Sequence, residues 1–484
     1  MVASFLFAAS CGEERERPTA GFSLGVASGE VTSTSAILWT RADTAGPVRA
    51  IVASDPYLRD VTARIDAEAA PERDLTVQVE VSGLQPGTRY FFRFESSNGV
   101  SETGTFRTAP LADAPEPVAF VFSGDSDGTR VNGCPAHNEF EALDRAREED
   151  ADFFLYFGDT IYADAGEPAT TLDEYRAKYR ENRGYRALRD ILAAMPVFVS
   201  WDDHEVLNDF DGQTIDPERM RAGRRAFGEY FPLRESEDDM RLYRSFRWGA
   251  TAEVFILDGR QYRSGDVADV CGEDVVPTLG APGVEQSGLR ALAGLPERTD
   301  AACLAAIEDP TRTMLGAEQL AWLEEGLRSS DATWKFVVNS TPIMELFVQP
   351  YDRWEGYAAE RRALLTFIAE HDIRNVVFLT TDWHATIFGE VRVDSFADPR
   401  AVAYEFIVGP IATTPLQHEI ERTVGEAGVA GIVAVVSGLA RPDCFDLDSY
   451  SYAVARIDPA SRALTVLAKD DTGAVLCEKR LEAR

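Results

Sequence analysis

The stretch Phe153-Phe154-Leu155-Tyr156-Phe157-Gly158-Asp159-Thr160-Ile161-Tyr162 decides the fold. An unbroken apolar and aromatic run ends at a glycine and a carboxylate, with a phenol three positions further on. A short apolar run bounded by turn residues reads as a buried strand. The same pattern recurs elsewhere. Phe120-Val121-Phe122 leads to Asp125-Ser126-Asp127, Val197-Phe198-Val199 leads to Trp201-Asp202-Asp203-His204-Glu205, and the run 376–379 leads to Thr381-Asp382-Trp383-His384. In an open α/β sheet, ligands sit beyond the carboxyl ends of the strands. These ends therefore deliver carboxylates, imidazoles and a phenol to one rim. So many anions repel one another unless cations neutralise them, and the pattern points to metal-dependent hydrolysis.

At 484 residues the chain is long enough for two or three domains. Its apolar content of 45% and mean hydropathy of −0.19 fit a globular protein with ample core. The 48 basic against 81 acidic residues leave a net charge of −33. That excludes a general nucleic-acid surface or an anionic membrane face, which need a basic patch. An anionic substrate would need local cations, which bound metals supply. A monomer is expected.

Residues 1–20 read as a lipoprotein-type signal and tether, with Ala8-Ala9-Ser10-Cys11-Gly12 offering Cys11 for lipidation and membrane attachment. The positive start of an export signal is missing, and a disordered cytoplasmic tail is the competing reading. The favoured location is extracytoplasmic: periplasmic, secreted or lipid-anchored. No other stretch reaches the roughly 20 apolar residues of a membrane-spanning helix. No Cys-x-x-Cys occurs, which argues against a thiolate zinc site. Cys271 and Cys303 flank a Gly/Pro/Ala-rich segment and are either a disulfide or buried thiols.

The expected architecture is multidomain α/β. Residues 21–110 carry short alternating or aromatic runs and read as a β-sandwich. Gly83-Leu84-Gln85-Pro86-Gly87-Thr88-Arg89-Tyr90 resembles the corner of fibronectin type III sandwiches, where the Tyr hydroxyl ties back to backbone. A Pro/Ala-rich linker covers 111–117. From 118 to 484, strand-like runs alternate with helical periodicity at 138–150, 172–194, 219–230, 316–329 and 358–371, which implies a layered α/β domain. The tail from 451 returns to β and is expected to extend a sheet edge, while 264–312 reads as an irregular insertion.

Residue chemistry assigns the roles. Asp125 and Asp127 place two carboxylates at one strand end, and Gly128 permits a tight turn. Asp159 is suited to bridge two ions, and Tyr162 can offer a phenolate, a hard ligand for a ferric ion. Asp203 is a metal ligand candidate, and His204 a proton donor to a leaving oxygen. Charged residues are almost never buried unpaired, so packing alone does not explain Asp202-Asp203-His204-Glu205. Asp382 and His384 complete the ligand set, with Asn339 as a further ligand or water holder and Asn208 beside the substrate. Arg260 and Arg263, just after a strand, could clamp a phosphate or pair with carboxylates. An oxygen-rich set favours Fe3+, Ca2+, Mn2+ or Mg2+.

Taken in order, Phe22-Ser23-Leu24-Gly25-Val26-Ala27-Ser28-Gly29-Glu30, Gly158-Asp159-Thr160-Ile161-Tyr162, Trp201-Asp202-Asp203-His204-Glu205, Leu257-Asp258-Gly259-Arg260-Gln261-Tyr262-Arg263 and Asp382-Trp383-His384 resemble the blocks of the alkaline phosphatase D (PhoD-like) family of metallophosphoesterases. The resemblance spans nearly the whole chain. It implies a layered αββα catalytic domain over 118–484 that hydrolyses phosphate mono- or diesters, small or polymeric, with a metal-activated water. It also implies ferric and calcium ions, with Asp159, Tyr162 and Asp382 as iron ligands and Asp203 and His384 near a second ion or the substrate. The family's better-known members carry a Ser-Cys-Gln-like stretch after the first strand, its Cys on iron. Here Ser123-Gly124-Asp125-Ser126-Asp127 stands instead, so Mn2+ or Mg2+ remain alternatives. The rival readings are a phospholipase D-like or nuclease-type diesterase, and a non-catalytic surface-binding protein on a decayed scaffold.

Overall fold

The structure, a computed structural model, describes residues 20–234, 241–272, 299–348 and 351–484. Cys11 and the expected signal lie outside the described residues, as does much of the 264–312 insertion. The run Phe153–Phe157 is a strand buried along its whole length. Val118–Ser123 and Val197–Ser200 flank it, both parallel to it. Antiparallel Ser451–Ile457, Leu464–Asp470 and Val475–Leu481 extend one side of this nine-stranded sheet, as the tail's alternation predicts. A second, seven-stranded sheet holds parallel Ala252–Ile256, Trp334–Val338, Val376–Thr380 and Asp398–Ile407.

The sheets pack face to face. Their inward residues form one apolar cluster containing Phe120, Phe153, Leu155 and Phe198 from one sheet and Val254, Phe336, Val377 and Leu379 from the other. The rings of Phe120 and Phe336 meet edge-on at 4.9 Å, and those of Phe198 and Phe246 meet at a tilt at 4.3 Å. Aromatic pairs add about 0.5–1.5 kcal/mol beyond their area burial. Helices cover the outer faces. Leu172–Arg183, Arg186–Ala194 and Pro217–Tyr230 pack against Val121, Phe154, Tyr156 and Val199. Gly316–Ser329 and Ala358–Glu370 cover Phe255, Val337 and Phe378. Since every site-bearing strand is buried on both faces, only its carboxyl end can present chemistry.

Residues 21–110 are β-rich, and three of their strands join the main sheet. Val26–Gly29, Ser35–Arg41 and Thr76–Ser82 continue the nine-stranded sheet, joined where Gly29 pairs with Val197. The other N-terminal strands form a smaller sheet around Gly46–Ala53 and Arg89–Ser96. The Tyr90 hydroxyl does tie back to backbone, accepting from Gln85 N at 2.9 Å. Apolar Val26, Leu38 and Val79 share a cluster with Phe120 and Phe336, so the core runs on across the expected boundary. Disulfides join Cys271 to Cys303 and Cys444 to Cys477. Among the described residues no helix is long and apolar enough to cross a membrane.

Candidate metal centre

The site is built where parallel strands end. Asp125 N donates to Gly158 O at 3.0 Å, Ser126 N to Asp159 O at 2.8 Å, and Gly158 N to Ser200 O at 3.2 Å, so adjacent loops are tied backbone to backbone. Close approach demands glycine here. A Cβ on Gly124 would meet Phe157 O at 2.1 Å, and one on Gly158 would meet Thr381 Oγ1 at 2.3 Å. Asp125, Asp159, Asp382 and His384 sit in the left-handed backbone region, with φ of 55°, 50°, 68° and 48°. Non-glycine residues held there cost of order 1–3 kcal/mol each, and such strain clusters at functional sites.

Three groups of ligand-capable atoms adjoin. Asp125, Asp159 and His384 each bring one such atom within 4.8 Å of the others, as do Asp159, Asp203 and His204, and Asp203, Asp209 and Asp352. Asp159 thus belongs to the first two groups and Asp203 to the last two. The Asp125 Oδ2 atom is buried without a hydrogen-bond partner. Burial drives the Asp125 carboxyl up to about 7. Burial, followed by the charges of Asp203 and Asp202, pushes Asp159 far above the carboxylate range. Asp382 is raised the same way, by burial and then by Asp202 and Asp352. An orphaned anionic oxygen among mutually repelling buried acids is costly, and a cation removes both penalties. The donor set therefore fits hard metal ions.

Tyr162 OH lies 3.0 Å from His384 Nε2, which puts the phenol beside the first group. Its ring stacks on His204 at 4.1 Å. His204 Nδ1 is 2.6 Å from Asp164 Oδ1, which leaves Nε2 for other work. His384 Nδ1 faces Glu419 Oε1 at 3.4 Å. Asp382 stands by the centre without joining a ligand group, its N–H donating to Asp125 Oδ1 at 3.1 Å.

Several expected site residues are otherwise engaged. Arg260 donates Nε to Asp202 Oδ1 at 2.5 Å, Nη2 to Asp202 Oδ2 at 2.8 Å and Nη1 to Asp352 Oδ1 at 2.7 Å. Arg263 donates to the Asp352 and Asp209 carbonyls at 2.9 and 2.7 Å. Both arginines are fully buried, so in place of a phosphate clamp they form carboxylate pairs that hold Asp352 below the carboxylate range against the opposing effect of burial. Asn339 is likewise buried, with Oδ1 accepting from Trp354 Nε1 at 3.1 Å and Nδ2 donating to Thr341 O. Asp127 turns away to Thr129 N at 2.8 Å and to His137 Nε2 at 3.3 Å. Asn208 is exposed and donates to Asp209 Oδ2 at 2.6 Å.

Sequence reasoning missed Asp164, Asp209 and Asp352. Asp164 follows Tyr162 by two positions and Asp209 follows Asn208, so both lie in motif loops that were already marked. Asp352 follows no strand and carries no local signal.

A family model described as PhoD-like phosphatase matches residues 129–436, and one for the PhoD-like phosphatase N-terminal domain matches residues 8–110. The chain is 31% identical to alkaline phosphatase D of Bacillus subtilis (strain 168) over 77% of its own length, and spans 66% of that relative. Its fold superposes on the structure of PhoD with a TM-score of 0.75 at 24% identity, covering 98% of this chain and 94% of that one. It also superposes on a purple acid phosphatase from yellow lupin (Lupinus luteus) seeds, with a TM-score of 0.59 at 11% identity, covering 95% and 73%. The chain belongs to the PhoD-like phosphatase family.

Proposed function

We propose that this protein hydrolyses phosphate esters at a centre of two or more metal ions. The observation that carries the reading is the sharing of Asp159 by two converging ligand groups. Asp125, Asp159, His384 and the Tyr162 phenol would hold one ion, and Asp159 with Asp203 a second. Asp209 and Asp352 extend the ligand row beyond Asp203. Bound metals supply charge stabilisation and a nucleophilic water at neutral pH. The oxygen-rich set and the phenol support Fe3+ with Ca2+, and Mn2+ or Mg2+ satisfy the same donors.

The chain's own residues do the rest. His204, held at Nδ1 by Asp164, donates a proton from its other nitrogen to the departing oxygen. The strand-end loops fix the acids so that little reorganises during reaction. Arg260 and Arg263 neutralise Asp202 and Asp352 and keep the acidic cluster foldable. The fibronectin-III-like reading of 21–110 rests on the Tyr90 corner. An extracytoplasmic location is supported by the two disulfides, which persist in oxidising compartments.

The test is elemental analysis of the purified protein, with hydrolysis of a phosphate monoester and a diester before and after chelation. At least two ions per chain, chelator-sensitive turnover and loss of both in Asp159→Ala are expected. Metal-free protein without metal-restored activity would leave the non-catalytic reading. The monoester-to-diester ratio separates a phosphatase from a phospholipase D-like or nuclease-type diesterase.

A further inference from the structure

Asp159 can serve two ion sites only if its position is fixed, yet its left-handed backbone, φ 50°, is one that residues other than Gly, Asn and Asp rarely adopt and that Asp itself adopts at some cost. The restraint must come from outside the residue. Its neighbour Thr160 is gripped from two directions. On one side Glu205 Oε1 accepts from Thr160 N and from Thr160 Oγ1, each at 2.6 Å, while Glu205 Oε2 accepts from Asp202 N at 2.9 Å. On the other side Asn182 Nδ2 donates to Thr160 O and to Ser126 O, each at 2.8 Å, and Asn182 Oδ1 accepts from Gly128 N at 3.0 Å. Both gripping residues and the residue they hold are buried: Glu205 is 0%, Asn182 4% and Thr160 1% exposed. Gly128 must be glycine for this contact, because a Cβ would lie 2.1 Å from Asn182 Oδ1.

We propose that Asn182 and Glu205 form a two-sided clamp on Thr160 that fixes the shared carboxylate Asp159 and so sets the spacing of the two ions. Both are positioning residues. Glu205 has both oxygens committed to N–H and O–H donors and belongs to none of the three ligand groups. Asn182 comes from the helix Leu172–Arg183, outside every strand-end motif, and that helix is anchored at its start by the Thr171–Glu174 capping box. The clamp links the loops carrying Asp125, Asp159 and Asp203, so a shift at either side changes the distance between carboxylates. The inference rests on the two-ion reading above.

The experiment strips the full-length protein of metal and reloads it with Mn2+. Calorimetry reads each binding step, and electron paramagnetic resonance reads the magnetic coupling between two ions across a shared carboxylate. Glu205→Gln, Asn182→Ala and Thr160→Val are compared with wild type, after circular dichroism confirms folding. Wild type is expected to bind a coupled pair. The variants are expected to bind the first ion normally, lose about 10- to 100-fold in affinity for the second, as outer partners of metal ligands do, and show weakened coupling. A purely structural role would lower melting temperature and leave the coupling of the loaded protein unchanged, which would overturn the clamp. If Asn182→Ala does not fold, Glu205→Gln and Thr160→Val decide. An uncoupled or singly loaded wild type would instead overturn the two-ion reading itself, and the clamp with it.

Discussion

His204 combines burial, charge and function in one ring. Burial disfavours its imidazolium, but the Asp203 charge and the Asp164 hydrogen bond outweigh that and raise its pKa to about 10 in the metal-free protein. The folded value lies above the ordinary 6.5, so these interactions stabilise the fold fully below about pH 6.5 and are lost as pH rises through about 10. With only 5 histidines in the chain, nitrogen NMR of the metal-free protein can assign this ring. It should be doubly protonated at pH 8, and Asp164→Asn should lower its pKa; a neutral ring at pH 8 would contradict the assignment. His204→Ala should keep its ions and lose about 10²- to 10⁴-fold in kcat, the range for general acid catalysis. Loss of an ion in that variant would make His204 a ligand instead. At this scale the sequence was informative where charge follows an apolar run, as at Asp125, Asp159 and Asp203. It was silent on Asp352, whose partners Arg260, Arg263, Asp203 and Asp209 all lie far off in sequence, and on Asn182, an unremarkable amide within a helix.

Among the elements, glycines set how closely the strand-end loops pack. Gly158 has φ 73° and its missing Cβ would lie 2.3 Å from Thr381 Oγ1. Gly158→Ala should therefore cost about 1–2 kcal/mol for left-handed backbone and about 1–3 kcal/mol more for overpacking. Gly473 provides the control: its φ is 89°, but a Cβ would meet nothing nearer than Arg145 Cδ at 3.6 Å, so Gly473→Ala should show the backbone cost alone. Denaturant unfolding measures both, and equal losses would mean that the Thr381 side chain gives way to the added methyl at no cost. Periodicity found most helices, including Gly316–Ser329 at both ends. It merged Leu172–Arg183 with Arg186–Ala194, because apolar spacing runs on across the break at Gly184. It missed the helical segment Leu416–Val435, which kinks at Gly425 and carries no charged residue after Glu426, so its end has no polar face to mark a period.

At the level of the whole molecule, the core and the main sheet run on across residue 110 for a reason local patterns do not carry. Alternation identifies a strand, but the pairing of Gly29 with Val197 depends on chain brought together from far apart. The same is true of the disulfide between Cys444, on the edge strand of one sheet, and Cys477, on the edge strand of the other. It closes a loop of sequence separation 33, worth about 3–4 kcal/mol by the chain-entropy relation. The double variant Cys444→Ser, Cys477→Ser should unfold at correspondingly lower denaturant while keeping its ion content, because the bridge lies at the sheet edges and the ligands at the strand ends.

Net charge is the remaining property of the whole molecule that acts on the site. A charge of −33 repels an anionic ester at long range, while the metal ions attract it only nearby. The Debye length shrinks from about 30 Å at 0.01 M salt to about 8 Å at 0.15 M, so added salt screens the distant repulsion more than the local attraction. For a dianionic monoester, kcat/KM should rise over that range while kcat holds steady. A singly charged diester should respond less, since its interaction with the same field is about half as large. Stopped assays at several concentrations of an inert monovalent salt measure both slopes. A falling slope for the monoester would mean that the field at the mouth is already positive, set by the bound ions and not by the acidic surface.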